Sequence, residues 1–335
     1  MSKENELVAR IARALPSRVG GPPGACLLLG VGDDAAVVAS GRGSNCVLTC
    51  DAFLEGVHFL ADVHPPDSVG YKSLVRATSD IAAMGAAARL FLLTLALPAY
   101  RTGAWLDQFL RGMNRAARSM GLRLAGGDTT KHPTVAIGIT VLGELGRQRA
   151  VTRSGARVGD LIYVSGRLGR ADLGLALLRR RLGRAIWTRP LVRQHLYPIA
   201  RLELGTWLAR HRIPSAMMDL SDGLSTDLAR LCAASKVGAV LWRDRIPGPV
   251  VPDRLVPRLD RLRLSLPRLA LHGGDDYELL FTVPVARAKA LARAPGFRNL
   301  AAIGTITRGR DILLMDSAGR TTKLEPLGWD PFRPK

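Results

Sequence analysis

The sequence predicts an α/β (α+β) protein built from two mixed-sheet domains. Strand-like apolar runs alternate with helical apolar spacing through both halves of the chain, as is typical of this class. The length of 335 residues favours more than one domain. A polar stretch rich in glycine and arginine, Gly146–Gly159, lies near the middle and is typical of a boundary. We therefore expect an N-terminal domain over residues 1–148 and a C-terminal domain over residues 149–335.

The first half predicts one amphipathic helix, then strands and two longer helices. The spacing of Leu7, Val8, Ile11 and Leu15 predicts a helix over residues 4–15 that ends before Pro16. Apolar runs predict six strands, near residues 26–30, 35–39, 46–51, 89–97, 122–125 and 134–145. Apolar residues three and four apart predict helices over residues 68–84 and 105–120.

The second half repeats this alternation. Strands are predicted near residues 161–164, 216–218, 238–242, 277–283, 300–306 and 312–315. Helices are predicted near residues 171–182, 191–195, 201–210, 224–234 and 285–294. The proline-rich stretch from Pro247 to Pro267 predicts a loop or a short helix.

The charge balance is strongly basic and comes mainly from arginine. The chain carries 48 Lys+Arg against 28 Asp+Glu, for a net charge of +20, and only seven of the basic residues are lysine. Such a surface attracts nucleic acid, anionic membranes or phosphorylated metabolites. The arginines are scattered, and aromatic residues make up 5% without a basic–aromatic pattern for stacking bases. A nucleic-acid-binding protein is the rival class, but we do not expect nucleic acid as a partner.

Membrane insertion and disulfide bonding are not expected either. The best apolar stretch, Leu90–Pro98, is only as long as a strand. The four cysteines, Cys26, Cys46, Cys50 and Cys232, form no C-x-x-C pair and no disulfide-like framework. The N-terminus carries Lys3, Glu4 and Glu6 before an amphipathic pattern, which is unlike a signal peptide. These features predict a cytoplasmic protein.

Acidic residues concentrate beside glycines. Twelve of the 28 fall in six short stretches, which are residues 30–36, 49–59, 79–86, 126–131, 219–228 and 273–278. One Gly-Asp pair is usually only a turn, but six such stretches in an arginine-rich chain call for a common cause. Oxygen ligands without His/Cys zinc spacing favour Mg²⁺ held on phosphates. The chain has neither a G-x-x-x-x-G-K-[ST] loop nor the protein-kinase motifs, so a different ATP-binding fold is implied.

The stretch from Asp219 to Leu228 has two interpretations. It reads DLSDGLSTDL and lies between a predicted strand and a predicted helix. An Asp or Ser side chain could simply cap the helix, with the glycine in the turn. A strand-to-helix turn also exposes backbone N–H groups to anions, and its carboxylates can hold a bridging cation. The two interpretations are compatible, and we expect this turn to be the second domain's part of a metal–phosphate cluster.

Read together, the acidic stretches resemble the thiamine-monophosphate kinases of the aminoimidazole ribonucleotide synthetase-like ATP-binding superfamily. The matching segments occur in that family's order: GVGDDAAVV (30–38), DAFLEGVHF (51–59), SDIAAMGA (79–86), GGDTT (126–130), TRSGARVGD (152–160), DLSDGLSTDL (219–228) and GGDDYELLF (273–281). Gly328-Trp329-Asp330 extends the match almost to the C-terminus. The resemblance implies transfer of the γ-phosphoryl group of ATP to thiamine monophosphate, several Mg²⁺ ions, and a homodimer with the N-terminal sheet at its interface.

The resemblance also implies roles for individual residues. The implied metal ligands are Asp34, Thr49, Cys50, Asp51, Asp80, Asp128, Asp219 and Asp222. Cys50 stands where the family pattern leads us to expect a hydroxyl residue, so it would act through its backbone carbonyl. ATP would contact Gly127, Asp128, Arg153 and Ser221, and thiamine monophosphate would contact His58, Asp275 and Trp329.

Several of these residues also have a plain structural interpretation. Trp329 could pack on the core, His58 could be a satisfied histidine beside a strand, and Arg153 could form a surface salt bridge. The chemistry nevertheless suits phosphoryl transfer, which needs positioning and charge neutralisation. Arg153 can bind a phosphate bidentately, and Trp329 can stack on a cationic thiazolium ring. An acceptor phosphate is already deprotonated near neutral pH, so no residue is predicted to act as a general base.

Overall fold

The structure is a computed structural model that describes residues 3–15, 26–39, 44–146, 148–183, 185–294 and 300–332. Two mixed β-sheets with helices packed against them make up the fold, as the sequence predicts. The first sheet is formed from residues before 145 and the second from residues after 160.

The first sheet has six strands in the order β1-β2-β3-β6-β4-β5. Its strands are β1 (Leu27–Leu29), β2 (Ala36–Ala39), β3 (Asn45–Leu54), β4 (Ala87–Leu97), β5 (Arg123–Lys131) and β6 (Ala136–Glu144). The pairing is antiparallel except between β4 and β5, which makes β5 a parallel edge strand. Along β6, residues alternate between buried and half-buried, as expected of a sheet with one face on the core.

Three helices accompany the first sheet: α1 (Lys3–Ala14), α2 (Pro66–Ala83) and α3 (Ala104–Met120). α2 is the most buried of them and lies between the sheet and the second half of the chain. It approaches α3 closely, because a Cβ atom at Gly70 would lie 2.1 Å from the carbonyl oxygen of Phe109. On the other side of α2, the second half of the chain approaches equally closely. A Cβ atom at Gly205 would lie 2.0 Å from the carbonyl oxygen of Ala82.

The second sheet has seven strands in the order β13-β12-β9-β11-β7-β10-β8. Its strands are β7 (Leu161–Val164), β8 (Ala216–Leu220), β9 (Gly238–Trp242), β10 (Glu278–Val283), β11 (Ala302–Thr307), β12 (Ile312–Met315) and β13 (Thr321–Lys323). The helices of this half are α4 (Arg170–Arg179), α5 (Arg189–Leu196), α6 (Leu202–Arg210), α7 (Leu224–Ser235), α8 (Leu266–His272) and α9 (Val285–Ala288). Every residue of β8 and β10 is buried, so both faces of these two strands are covered although β8 ends the sheet.

The predicted elements occur with shifted ends, two predictions were wrong in detail, and α8 and β13 were not predicted. β5 does not stop at Ala125 but continues through Gly126-Gly127-Asp128, because these residues pair with β4 in an extended conformation. The helix predicted over 285–294 is one turn of α-helix followed by a 3-10 segment. β13 was not predicted, since the short polar run Thr321–Lys323 carries no apolar pattern.

None of the helices in the described part of the chain combines the length and apolar character that crossing a membrane requires. All four cysteines are free thiols, and Cys232 is the buried one.

Candidate functional site

Three carboxylates from distant parts of the chain meet between the two sheets. Asp34 precedes β2, Asp80 lies on α2 and Asp219 lies on β8. Each offers one oxygen, and these three oxygens lie within 4.8 Å of one another. They line a cavity of about 650 Å³ that is bounded by both halves of the chain. We call this space the metal cavity.

The electrostatics of this cluster favour a bound cation. Burial raises the pKa of Asp219 to about 7, and the nearby Asp34 carboxylate adds to the rise. Burial and then the charges of Asp219 and Asp51 raise the pKa of Asp80 well above its ordinary value. Gathering these acids is costly unless a positive charge accompanies them.

The donor set fits a hard divalent cation. Among the described residues, Oδ2 of Asp34 is a buried oxygen without a hydrogen-bond partner. Such an atom costs free energy unless something binds it. Oxygen-only ligands from carboxylates are what Mg²⁺ prefers. The residues present could therefore hold Mg²⁺ in the metal cavity.

Arg153 is the cation that the protein itself places on the cluster. Its Nε and Nη2 atoms lie 3.0 and 2.6 Å from Oδ1 of Asp34. Burial raises the pKa of Asp34, and the Arg153 charge opposes that rise. The side chain of Arg153 is only 22% exposed, so this ion pair is not the surface salt bridge considered from the sequence.

The middle of β3 contributes the next three predicted ligands. Thr49 Oγ1 donates a hydrogen bond of 2.6 Å to Oδ2 of Asp80. Asp51 accepts a hydrogen bond of 2.8 Å from Nε of Arg76, a residue on α2. Cys50 is exposed between them and lines the metal cavity. The structure thus gathers Thr49, Cys50 and Asp51 beside the three-carboxylate cluster.

The Asp219–Leu228 turn is held by an acid inside the helix that follows it. The carboxylate of Asp227 is fully buried and accepts hydrogen bonds from the backbone N–H groups of Ser221 and Asp222, at 3.1 and 3.0 Å. The N-cap residue of α7 is Gly223, which provides no side-chain cap. The interpretation of an Asp or Ser cap is therefore wrong, and Asp227 inside the helix holds the turn instead.

Arg230 ties this turn to the N-terminal helix. Its guanidinium pairs with Asp222 and lies 3.0 Å from Oδ1 of Asp227 and 2.9 Å from Oε2 of Glu4 on α1. Ser221 and Asp222 both line the metal cavity. Asp222 is therefore at the site, but its side chain is already paired with a cation.

A second cavity of about 310 Å³ adjoins the metal cavity, and we call it the substrate cavity. The residues that line both cavities are His58, Arg76, Ser221, Asp222 and Trp329. The shared lining means that a molecule in one space can meet a molecule in the other.

The predicted thiamine-site residues all lie at the substrate cavity. His58 accepts a 3.0 Å hydrogen bond on Nδ1 from the Leu54 N–H group, and burial followed by the charge of Arg76 lowers its pKa to about 4. Trp329 is 48% exposed at the mouth, so it is not packed into the core. Asp275 contributes a carboxylate to the wall.

Gly127 and Asp128 lie elsewhere. They are exposed on the edge strand β5 and line neither of the two cavities. Gly127 approaches its neighbour closely, since a Cβ atom there would lie 1.8 Å from the carbonyl oxygen of Leu93. The single chain does not bring these two residues to the metal cluster.

Sequence reasoning missed several residues that line or support the site. They are Lys72 and Arg76 on α2, Asp227 and Arg230 on α7, and Glu4 on α1. Basic residues are too numerous in this chain for any one of them to stand out. The four-residue spacing of Lys72, Arg76 and Asp80 on a helix with small buried residues was the available signal.

Comparison with known proteins first defines the class. The family model for the N-terminal domain of AIR synthase related proteins matches residues 32–145, and the model for their C-terminal domain matches residues 157–316. The chain is therefore an AIR synthase related protein.

The relatives define the family more narrowly. Thiamine-monophosphate kinase of Escherichia coli (strain K12) is 36% identical over 309 residues, which cover 91% of this chain and 92% of the relative. The Synechococcus elongatus enzyme of the same name is 35% identical over 285 residues, 82% of this chain and 83% of the relative. The solved structure of AaThiL complexed with AMPPCP and TMP aligns with a TM-score of 0.82 at 30% identity, over 97% of this chain and 96% of that one. The chain belongs to the thiamine-monophosphate kinase family.

Proposed function

We propose that this chain transfers the γ-phosphoryl group of ATP to the phosphate of thiamine monophosphate, which yields thiamine diphosphate and ADP. The observation that carries the proposal is the pair of adjoining cavities, with clustered carboxylates in one and His58, Asp275 and Trp329 in the other. Relatives named thiamine-monophosphate kinase, and a relative structure with AMPPCP and TMP, support the choice of substrates.

Mg²⁺ would be held by Asp34, Asp80 and Asp219, with Asp51 and the backbone around Thr49 and Cys50 close by. When bound, it would neutralise phosphate charge and bring two anions together. Asp222 could join the ligand set if its pairing with Arg230 were released.

The protein's own residues would orient the reacting groups. Arg153 lies at the metal cavity with planar N–H donors, and Ser221 lies where the two cavities meet. In-line transfer needs the acceptor phosphate to face the γ-phosphate, which a shared wall permits. The acceptor phosphate is an anion at pH 7, so a general base is not required.

The thiamine end would be recognised by charge and by an aromatic face. Asp275 presents a carboxylate, which is paired with Lys72, in the wall of the substrate cavity, and Trp329 presents its ring at the mouth. A cationic thiazolium ring is attracted by both features.

A second copy of the chain would complete the site. The first sheet carries an open face, formed by Leu48, Cys50, Leu90, Leu92 and Asp128, and its three leucines are 39–45% exposed. Apolar residues on an uncovered sheet face favour burial against a partner. Because Cys50 also lines the metal cavity, a copy packed on this face would carry its Asp128 and Gly127 toward that cavity. We therefore propose a homodimer in which these two residues act on the partner's site.

The activity is tested by coupled ADP release with thiamine monophosphate as acceptor. We expect turnover that requires both ATP and Mg²⁺, with free thiamine as a poor acceptor because it lacks the phosphate. No ADP release above a substrate-free blank would contradict the proposal.

A nucleic-acid-binding protein remains the rival suggested by the net charge of +20. Duplex binding that falls steeply with salt and survives replacement of Asp219 would favour the rival.

A further inference from the structure

A chain of buried polar side chains lies behind the substrate cavity. Lys72 Nζ lies 2.8 Å from Oδ2 of Asp275 and 3.3 Å from Nδ1 of His195. His195 Nε2 lies 2.9 Å from Nε2 of His64, whose Nδ1 lies 3.0 Å from the Leu60 carbonyl oxygen. Lys72 and His195 are each 1% exposed, and His64 is 5% exposed. None of these side chains belongs to the three-carboxylate cluster.

Burial and charge set the protonation of the groups in this chain. Burial, followed by the charge of Lys72, lowers the pKa of His64 to about 4 and that of His195 well below its ordinary value, so both rings are neutral at pH 7. Burial would raise the pKa of Asp275, but the charge and the hydrogen bond of Lys72 outweigh it and the net direction is downward, so the carboxylate is ionised. Burial lowers the pKa of Lys72, and the Asp275 charge opposes that fall.

The Nε2 atoms of His195 and His64 lie 2.9 Å apart and share one proton, so the two neutral rings must carry opposite tautomers. Nδ1 of His64 can serve either tautomer, because it lies 3.0 Å from the Leu60 carbonyl oxygen and 3.1 Å from the Leu60 N–H group. An ammonium on Lys72 can only donate to Nδ1 of His195, which favours the tautomer with the His195 proton on Nε2. The side chains of Lys72, His195 and His64 are thus joined in one hydrogen-bonded chain.

Each end of the chain is attached to a wall of the substrate cavity. Leu60 lies in the segment that also carries His58, and Asp275 lies in the turn before β10. Asp275 and Tyr277 have φ angles of 66° and 51°, in the left-handed region of backbone conformation. Residues other than glycine adopt this region at an energetic cost. Tyr277 donates a 2.7 Å hydrogen bond to Oδ1 of Asp275, so both carboxylate oxygens are held.

We propose that Lys72 is a positioning residue for recognition of the thiamine moiety, which it fixes by holding Asp275 directly and the His58 wall through His195 and His64. The inference rests on the proposed function of the substrate cavity. The proposed metal ligand on α2 is Asp80, two turns from Lys72, and it does not belong to this hydrogen-bonded chain of side chains. Loss of Lys72 therefore weakens recognition of the acceptor more than it affects ATP.

Steady-state kinetics of Lys72→Met test this role. We expect KM for thiamine monophosphate to rise about tenfold, with kcat and KM for ATP within about twofold of wild type, since positioning of one ligand is lost. Asp275→Asn should raise the same KM, and the double variant should be no worse than Asp275→Asn alone, because the two residues act as one unit. Lys323→Met, at an exposed lysine far from both cavities, is the matched control and should leave all constants unchanged.

An unchanged KM for thiamine monophosphate in Lys72→Met, or equal losses for both substrates, would overturn the proposal. Additive losses in the double variant would overturn it as well.

Histidine tautomers in the wild-type protein give a test that does not depend on how the variant folds. Long-range ¹H–¹⁵N correlation spectra at pH 7 should show the rings of His195 and His64 in opposite tautomers, one protonated on Nε2 and the other on Nδ1. The same tautomer in both rings, or a doubly protonated ring at pH 6, would refute the hydrogen-bonded chain. This measurement needs no substrate, so an enzyme with these tautomers but without turnover would contradict the proposed function and leave the chain standing.

Discussion

At the scale of single residues, the site gathers buried carboxylates whose negative charges are unfavourable unless a cation accompanies them. Asp34, Asp80 and Asp219 share one small volume, and one of the three, Asp34, has a protein cation, Arg153, within hydrogen-bond distance. Buried like charges raise one another's pKa and destabilise the folded chain. A bound divalent ion would reverse that penalty, so the cluster indicates a ligand that the chain itself does not supply.

Replacing one carboxylate of the cluster should lower activity without lowering the stability of the metal-free protein. Asp219→Asn should lower kcat by on the order of a hundredfold or more, because a metal ligand is lost. The folded-state pKa of Asp219 is raised to about 7, so its stabilising protonation is lost as pH rises through that value. At pH 8 with EDTA the variant should therefore melt at or above the wild-type temperature, and Mg²⁺ should raise the melting temperature of wild type more than that of the variant.

Asp253→Asn is the matched control, since Asp253 is an exposed acid in a loop away from the cavities. It should change neither turnover nor the response of the melting temperature to Mg²⁺. Near-normal turnover in Asp219→Asn, or a large loss of its stability in EDTA, would refute the assignment of Asp219 to a metal centre.

At the scale of elements, α2 organises both cavities. Lys72, Arg76 and Asp80 are four residues apart and lie along one face of the helix. They contact Asp275, Asp51 and Thr49 in turn, so the helix runs from the substrate cavity to the metal cavity. The position of this helix on its neighbours therefore sets the geometry of both.

Gly70→Ala should disturb both cavities by shifting α2. The added Cβ atom would lie 2.1 Å from the Phe109 carbonyl oxygen, so α2 and α3 must separate. We expect a net stability loss of about 2 kcal/mol from overpacking, which outweighs the gain in helix propensity. Denaturant unfolding should show this loss together with a lower kcat.

Gly248→Ala provides the control, because a Cβ atom at that position would lie 3.6 Å from Cβ of Ala270, which is an ordinary van der Waals contact. Equal stability of Gly70→Ala and Gly248→Ala would show that the contact between α2 and α3 is not tight, which would contradict the role given to α2.

Much of this element-scale picture could be predicted from apolar spacing. The periodicity of residues 68–84 identifies α2, and buried runs identify β8 and β10. The spacing could not show that Gly126-Gly127-Asp128 lies within a strand, because glycine pairs favour turns unless a neighbouring strand pairs with them. It also could not show that Asp227, rather than Ser221 or Asp222, holds the turn before α7.

At the scale of the whole molecule, the site lies between the two sheets. Asp34 and Asp80 come from the first half and Asp219 from the second, and the sequence predicts this convergence only through the resemblance to a family. Local patterns carry no information on which distant charges pair, so the ion pairs of Lys72, Arg76 and Arg230 could not be predicted. Asp128 is the opposite case, since the resemblance predicts a ligand and the single chain places it on the open face.

Mixing two inactive variants tests whether a second copy completes the site. Asp128→Asn and Asp219→Asn should each be inactive alone. In a homodimer whose sites combine Asp219 of one copy with Asp128 of the other, subunit exchange should restore about a quarter of the wild-type activity, because half of the random dimers carry one intact site. Co-refolding of the two proteins followed by the ADP-release assay measures this recovery.

A mixture of either variant with itself is the control and should stay inactive. Absence of recovery in mixed dimers whose formation is verified with two different affinity tags would place both residues in one chain's site and contradict the shared arrangement.

The clustered carboxylates are proposed to serve transfer of a phosphoryl group to another phosphate. A ³¹P NMR time course of the wild-type protein, with equal amounts of ATP and thiamine monophosphate in Mg²⁺ buffer, follows that transfer itself. We predict that the γ-phosphate resonance of ATP disappears while the two resonances of thiamine diphosphate and those of ADP grow in equal amounts, and that Asp219→Asn shows neither change. Release of inorganic phosphate without thiamine diphosphate, or an unchanged spectrum with the wild-type protein, would contradict the claim.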